Sequence, residues 1–214
     1  MTFQLTSKDY VAYIKEAAKL IAENKEYISD LDAATGDGDH WANINMGFEK
    51  LVSCEDELSA LSVGDMFKKI GMLMMATIGG SSGVLYGSAY IAGAKTLSGQ
   101  EYIDDSNLCQ VLDAMVNAII QRGNAKPGFK TMIDALYPAV EAYKAGLAAN
   151  LDTKELLNSV KKASIEGAES TKAMEAVRGR ACYQANKGVG HLDPGAVTMS
   201  YQIEVLMDYI LKGF

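Results

Sequence analysis

Asp32, Asp37, Asp39 and His40 fall within nine consecutive positions, in the stretch LDAATGDGDH at 31–40 that also carries Gly36 and Gly38. Carboxylates this close repel one another unless a cation lies between them. The two glycines allow positive φ, so the turn can curl its side chains toward one point. Hard oxygen ligands suit Mg²⁺ or Ca²⁺ and not zinc. The spacing excludes an EF-hand: counted from Asp32, the third and fifth positions are Ala34 and Gly36, and counted from Asp37 the fifth is Trp41. A magnesium site needs only a few protein carboxylates and completes its shell with water and phosphate oxygens. The plainer reading is a polar turn with Asp39 as N-cap of the next helix. Three aspartates and a histidine together favour the metal.

Other stretches offer chemistry for anions. GGSSG at 79–83 precedes a helical pattern, so the backbone N–H groups of Ser81 and Ser82 would stand at the positive end of a helix, a geometry that suits phosphate. A capped helix start with small residues for close packing reads equally well. GSAYIAGAKT at 87–96 has the wrong Gly-to-Lys spacing for a Walker A loop and no strand before it. In RGNAKPGFKTM at 122–132, a helix end with solvated Lys126 and Lys130 is the simpler account, and HLDPGA at 191–196 is first of all a helix start. Arg178 and Arg180 stand on a Gly-flanked loop, where a guanidinium can close over phosphates or meet a transferring phosphoryl group. His40 and His191 are the only histidines, and no Ser–His–Asp or Cys–His arrangement follows from the spacing. The run GMLMMATIGG reads as core packing.

These groups must be positioned by helices. The apolar spacing is helical nearly throughout. One stripe runs from Val11 to Ile28 and ends near Asp30, leaving Asp32 just past the helix. Further helices are expected from about Asp39 to Ser53, Ser62 to Thr77, Gly83 to Thr96, Asp104 to Arg122, Thr131 to Ala149 with a kink at Pro138, Asp152 to Thr171, and Asp193 to Lys212. Eight helices with short connections and no convincing strand predict an all-α fold, an antiparallel up-and-down bundle. The one long irregular piece is 173–192, and loops of that length in compact domains are usually functional or disordered.

The chain has 214 residues, which suits one domain over 1–214, and its net charge of −7 argues against a nucleic-acid surface. Cys54, Cys109 and Cys182 are too few and too scattered for a disulfide framework or a cysteine metal site. The start MTFQLTSKDY has no apolar signal region, and no apolar run reaches membrane-spanning length. A cytoplasmic setting without membrane partners is expected.

LDAATGDGDHWANINMGF, GGSSG, AKPGFKTMID and GRACYQANKGVGHLDPGA, in this order between residues 31 and 196, resemble the nucleotide-binding L subunit of dihydroxyacetone kinases. The resemblance implies an antiparallel eight-helix barrel with nucleotide bound by the loops at one end. It implies Mg²⁺ on Asp32, Asp37 and Asp39, and nucleotide contacts at His40, Trp41, Ala42 and Asn43, at Ser81 and Ser82, and at Asp193, Pro194 and Gly195. Gly123 and Met132 match positions lining the adenine pocket. Arg180 matches the arginine of the lid loop, placed to touch both nucleotide and reacting phosphoryl group. Trp41 departs from the glycine common there in the family, which would alter the pocket wall or a partner surface.

Charge favours two ions. Three carboxylates and ATP carry about −7 together, which one Mg²⁺ lowers to about −5 and two to about −3. A chain ending at Phe214, after the last helix, resembles the stand-alone phosphotransferase-system type. In that type ADP or ATP stays bound as a coenzyme, a phosphohistidine-carrying phosphotransferase subunit recharges it, and a K subunit presents dihydroxyacetone. Two alternatives are a nucleotide-sensing regulatory partner of a transcription factor and the nucleotide domain of a fatty acid kinase.

Overall fold

The computed structural model describes residues 3–213. Among them the chain forms ten α-helices: α1 (Ser7–Glu23), α2 (Lys25–Thr35), α3 (His40–Ser53), α4 (Glu55–Ser59), α5 (Val63–Thr77), α6 (Gly80–Thr96), α7 (Asp105–Gly123), α8 (Ile133–Ala148), α9 (Thr153–Ser170) and α10 (Pro194–Leu211). The only β pairing among the described residues is an isolated antiparallel bridge between Leu5 and Ile103.

Two of the ten are pieces that the periodicity did not separate. The stripe expected to run unbroken to Asp30 breaks at Asn24, whose side chain donates to the Leu20 carbonyl at 2.8 Å and competes with the helical ladder. The chain resumes as α2 and continues to Thr35, so Asp32 lies in a helix and not beyond one. The five-residue α4 adds a turn that carries Leu58 into the core.

The eight long helices close into a ring. α5 packs on α6, α6 on α7, α7 on α8, α8 on α9 and α9 on α10, and α10 returns to α1, which meets α3, which meets α5. The α5–α6 pair is tight where two glycines face each other. A Cβ on Gly71 would stand 2.9 Å from the Gly87 carbonyl oxygen, and one on Gly87 would stand 2.8 Å from that of Gly71. The interior is one apolar cluster with several tyrosines inside it. The Tyr10 and Tyr90 hydroxyls lie 3.4 Å apart, and Gln202 donates to the Tyr86 hydroxyl at 2.8 Å, so these buried polar tips have partners. The methionine run divides: Met74 is core, while Met72 and Met75 are exposed. None of the described helices is long and apolar enough to cross a membrane.

Up-and-down order has one consequence for function. It sends the N-termini of α3, α6, α8 and α10 to the same end of the ring. The connections at that end are 36–39, 78–79, 124–132 and 171–193.

Candidate functional site

The turn between α2 and α3 brings three carboxylates together. Asp32 is buried on the last turn of α2, and Asp37 and Asp39 are exposed in the turn itself. One oxygen from each lies within 4.8 Å of the other two. Gly38 has φ +76, and a Cβ on Gly36 would collide with Asp32 Oδ1, so both glycines are needed for this curl. Asp32 Oδ2 also accepts the His40 backbone N–H at 3.0 Å, which ties the cluster to the start of α3. Oxygen donors converging in this way fit a hard divalent cation.

His40 Nε2 lies 2.9 Å from Thr198 Oγ1, and that hydroxyl is 3.1 Å from the Pro194 carbonyl oxygen. When the threonine donates to this carbonyl it accepts from Nε2–H, which leaves Nδ1 as the acceptor nitrogen. Burial holds the imidazole pKa below its usual value, against the opposing pull of Asp32 and Asp39.

All of this opens into a cavity of about 630 Å³, a size suited to a small ligand. The carboxylates, His40 and Asn43 form one part of its wall, and Gly79 to Ser82 at the start of α6 form another, with Gly79 beside Asn43. α6 begins without a side-chain cap and with no acidic residue in its first turn, so its N–H groups and positive end are left for a ligand. Asp193, Pro194 and Gly195 contribute the start of α10, where the Asp193 carboxylate accepts the Ala196 N–H at 2.7 Å. Asp193 keeps part of its surface open, yet burial pushes its pKa up to about 7. The Ala196 N–H and the nearby Lys130 ammonium oppose that rise, while Asp134 and Asp32 add to it. Leu85, Ile119, Gly123, Ala125, Met132 and Ile133 make an apolar stretch of wall between α6, α7 and α8.

Arg180 stands on a short 3-10 helix, Arg180–Tyr183, within the 173–192 loop. Its Nη2 is 2.7 Å from Asp37 Oδ2. The loop also reaches the body through Arg178 Nε to the Asn124 carbonyl at 2.9 Å and Gln184 Nε2 to the Ala34 carbonyl at 3.0 Å.

The cavity thus gathers Asp32, Asp37, Asp39, His40, Asn43, Ser81, Ser82, Gly123, Met132, Arg180, Asp193, Pro194 and Gly195. Trp41 and Ala42 are not in its wall. The Trp41 indole N–H donates to the Ile21 carbonyl at 3.0 Å, and the Lys25 ammonium sits 4.7 Å over the ring. The residue packs on α1 and α2, so its bulk does not reshape the pocket. Lys130, expected to be solvated, is 1% exposed and belongs to the cavity wall instead. Arg122 and Arg178 line it too.

The DAK2 domain description matches residues 34–208. The chain belongs to the DAK2-domain family. It is 31% identical to the PEP-dependent dihydroxyacetone kinase, ADP-binding subunit DhaL, of Escherichia coli K12, covering 94% of this chain and 96% of that one. It is 35% identical to the PTS-dependent dihydroxyacetone kinase, ADP-binding subunit DhaL, of Lactococcus lactis, covering 96% and 99%. Among solved structures the DAK2 chain resembles the dihydroxyacetone kinase of C. freundii in its native form, with TM-score 0.73, 24% identity and 92% of this chain covered, a likeness of fold. The same enzyme in complex with AMP-PNP and Mg²⁺ gives TM-score 0.70 at 25% identity. The DAK2 chain spans about a third of that enzyme, 34% and 33% in the two structures.

Proposed function

We propose that this DAK2 chain is a single-domain, nucleotide-holding subunit of a phosphoenolpyruvate-dependent dihydroxyacetone kinase. In this reading it keeps ADP or ATP as a coenzyme between a phosphohistidine-carrying phosphotransferase subunit and a K subunit that presents dihydroxyacetone. The observation that carries the proposal is one cavity lined both by three carboxylate oxygens within 4.8 Å and by the uncapped start of α6. Likeness to ADP-binding subunits over nearly their whole length supports the same reading.

Asp32, Asp37 and Asp39 would hold Mg²⁺, two ions by the charge argument, which would neutralise phosphate charge during transfer. Backbone N–H groups at Ser81 and Ser82 and at the start of α10 would bind phosphate oxygens, and Met132 and Gly123 would border the base. Asn43 and His40 complete the polar wall, with the His40 ring oriented by Thr198. Arg180, 65% exposed at its side chain and reaching Asp37, can lay its guanidinium over a phosphoryl group and stabilise charge as it develops. Positioning and charge neutralisation are sufficient for in-line transfer, so no nucleophile from this chain is required.

Mass spectrometry of the protein purified without added nucleotide tests the proposal. ADP or ATP should be released on unfolding and lost after magnesium chelation. A protein that never retains nucleotide, even with Mg²⁺ and ADP supplied, would contradict it.

A further inference from the structure

Lys130 is a charged residue enclosed by the fold, and a lysine is almost never enclosed without partners. Its φ of +60 lies in the left-handed region, which costs free energy for a residue with a side chain. The ammonium donates to the carbonyl oxygens of Thr171 and His191, each at 2.5 Å. Those two residues are the opposite ends of the arginine-bearing loop, where α9 finishes and the approach to α10 begins. Two more bonds close the same neck: Gly190 N–H to the Lys172 carbonyl at 2.8 Å, and Asp193 N–H to Thr171 Oγ1 at 2.9 Å. The loop is also tied within itself by Ala176 N–H to the Lys187 carbonyl at 2.9 Å and by the Lys187–Glu175 ion pair at 2.8 Å. The lysine stem runs beneath it. A Cβ on Gly188 would come 3.0 Å from Lys130 Cε and 3.2 Å from Ala181 Cβ, beside Arg180.

We propose that Lys130 is a positioning residue that clamps the neck of the 172–192 loop and thereby fixes where Arg180 reaches over the cavity. Burial holds the ammonium's pKa below its usual value, against the pull of nearby Asp193 and Asp134, and the charge-assisted bonds to two carbonyls offset the cost of enclosing it. Beyond the neck the loop meets the body through Val177 N–H to the Phe129 carbonyl, Arg178 to the Asn124 carbonyl and Gln184 to the Ala34 carbonyl, so loosening the clamp withdraws one of several anchors and displaces the guanidinium without dismantling the carboxylate cluster. The inference rests on the reading of Arg180 as the group that meets the phosphoryl charge.

Lys130→Met keeps stem length and removes the donors. Hydrogen–deuterium exchange should show the 172–192 amides exchanging at least about tenfold faster while the ring helices stay protected. Turnover with partner subunits should fall by about tenfold or more, and by more than any loss of ADP affinity, and Lys130→Met on an Arg180→Ala background should cost little further. Gly188→Ala, which keeps the ammonium but crowds its stem and strains a backbone at φ +72, should act in the same direction more weakly, and it carries the test should Lys130→Met not fold. Unchanged loop exchange in the folded variant, or losses that multiply with Arg180→Ala, would overturn the clamp. A wild-type protein that binds no nucleotide would instead sink the functional reading, and loop exchange would still decide the clamp.

Discussion

The two ends of the helical ring treat their helix starts in opposite ways. At the end away from the cavity the four long helices that start there satisfy themselves. Thr6 caps α1 by accepting the Asp9 N–H, Ser62 caps α5 through Asp65, Asp104 caps α7 through Asn107, and Asp152 caps α9 through Glu155. Each of those helices also carries an acidic residue in its first turn, which favours its own dipole. At the cavity end the N-cap residues of α3, α6 and α8 make no side-chain cap bond, although Asp32 takes the His40 N–H of α3 and Thr131 the Ile133 N–H of α8, and α10 is capped by Asp193. α3 and α6 have no acid in the first turn either. One end of the ring is built for stability. The other leaves the start of α6 without a side-chain acceptor and gathers Asp32, Asp37 and Asp39 in one cluster.

The contrast breaks most severely at the cluster. Asp37→Asn should weaken Mg²⁺-dependent ADP binding by more than about a hundredfold, since even the outer partners of metal ligands are worth about 10–100-fold. Helix content should not change, and calorimetric titration with ADP measures the loss. Next in size, Arg180→Ala should lower turnover by about a hundredfold, the scale of losing one donor to developing charge, while ADP binding falls much less. Steady-state kinetics with partner subunits supplied separates the two. A third substitution imposes the far end's chemistry on the near end. Ser82→Asp gives α6 the first-turn acid that α1, α5, α7 and α9 already have. Thermal stability should hold or rise, while ADP affinity drops by about tenfold as the new charge opposes phosphate. The smallest effect belongs to the far end. Ser62→Ala should cost about 1 kcal/mol, or about 2–4 °C in Tm, with ADP affinity unchanged.

Much of this contrast was legible in the residues. The far-end caps Ser62–Asp65 and Asp152–Glu155 announce themselves by local spacing, as does Asp193 before Pro194. So did the crowding of Asp32, Asp37 and Asp39, because three carboxylates in a glycine turn are informative without any partner. What apolar periodicity could not show was where a polar side chain finds its backbone partner, near or far. Asn24 ends α1 through its own side chain within an otherwise continuous apolar stripe. Trp41 turns away from the cavity because the Ile21 carbonyl, 20 residues earlier, takes its indole N–H. Lys130 reads as a solvated lysine until Thr171 and His191, 41 and 61 residues on, bring their carbonyls to it. The apolar wall around Leu85 and Ile119 is likewise a product of neighbouring helices, each of which alone shows only a core face.

We propose that nucleotide at the cavity end, and not His40, carries the phosphoryl group. A phosphohistidine beside Asp37 and Asp39 would add negative charge to a cluster that already calls for cations, and His40 Nε2 is engaged with Thr198. The direct measurement supplies the ADP-loaded protein with a radiolabelled phosphohistidine donor, then separates polypeptide from nucleotide under alkaline conditions that preserve phosphohistidine. The label should leave with ATP. Label that stays on the polypeptide, and is missing from a His40→Ala variant, would contradict it.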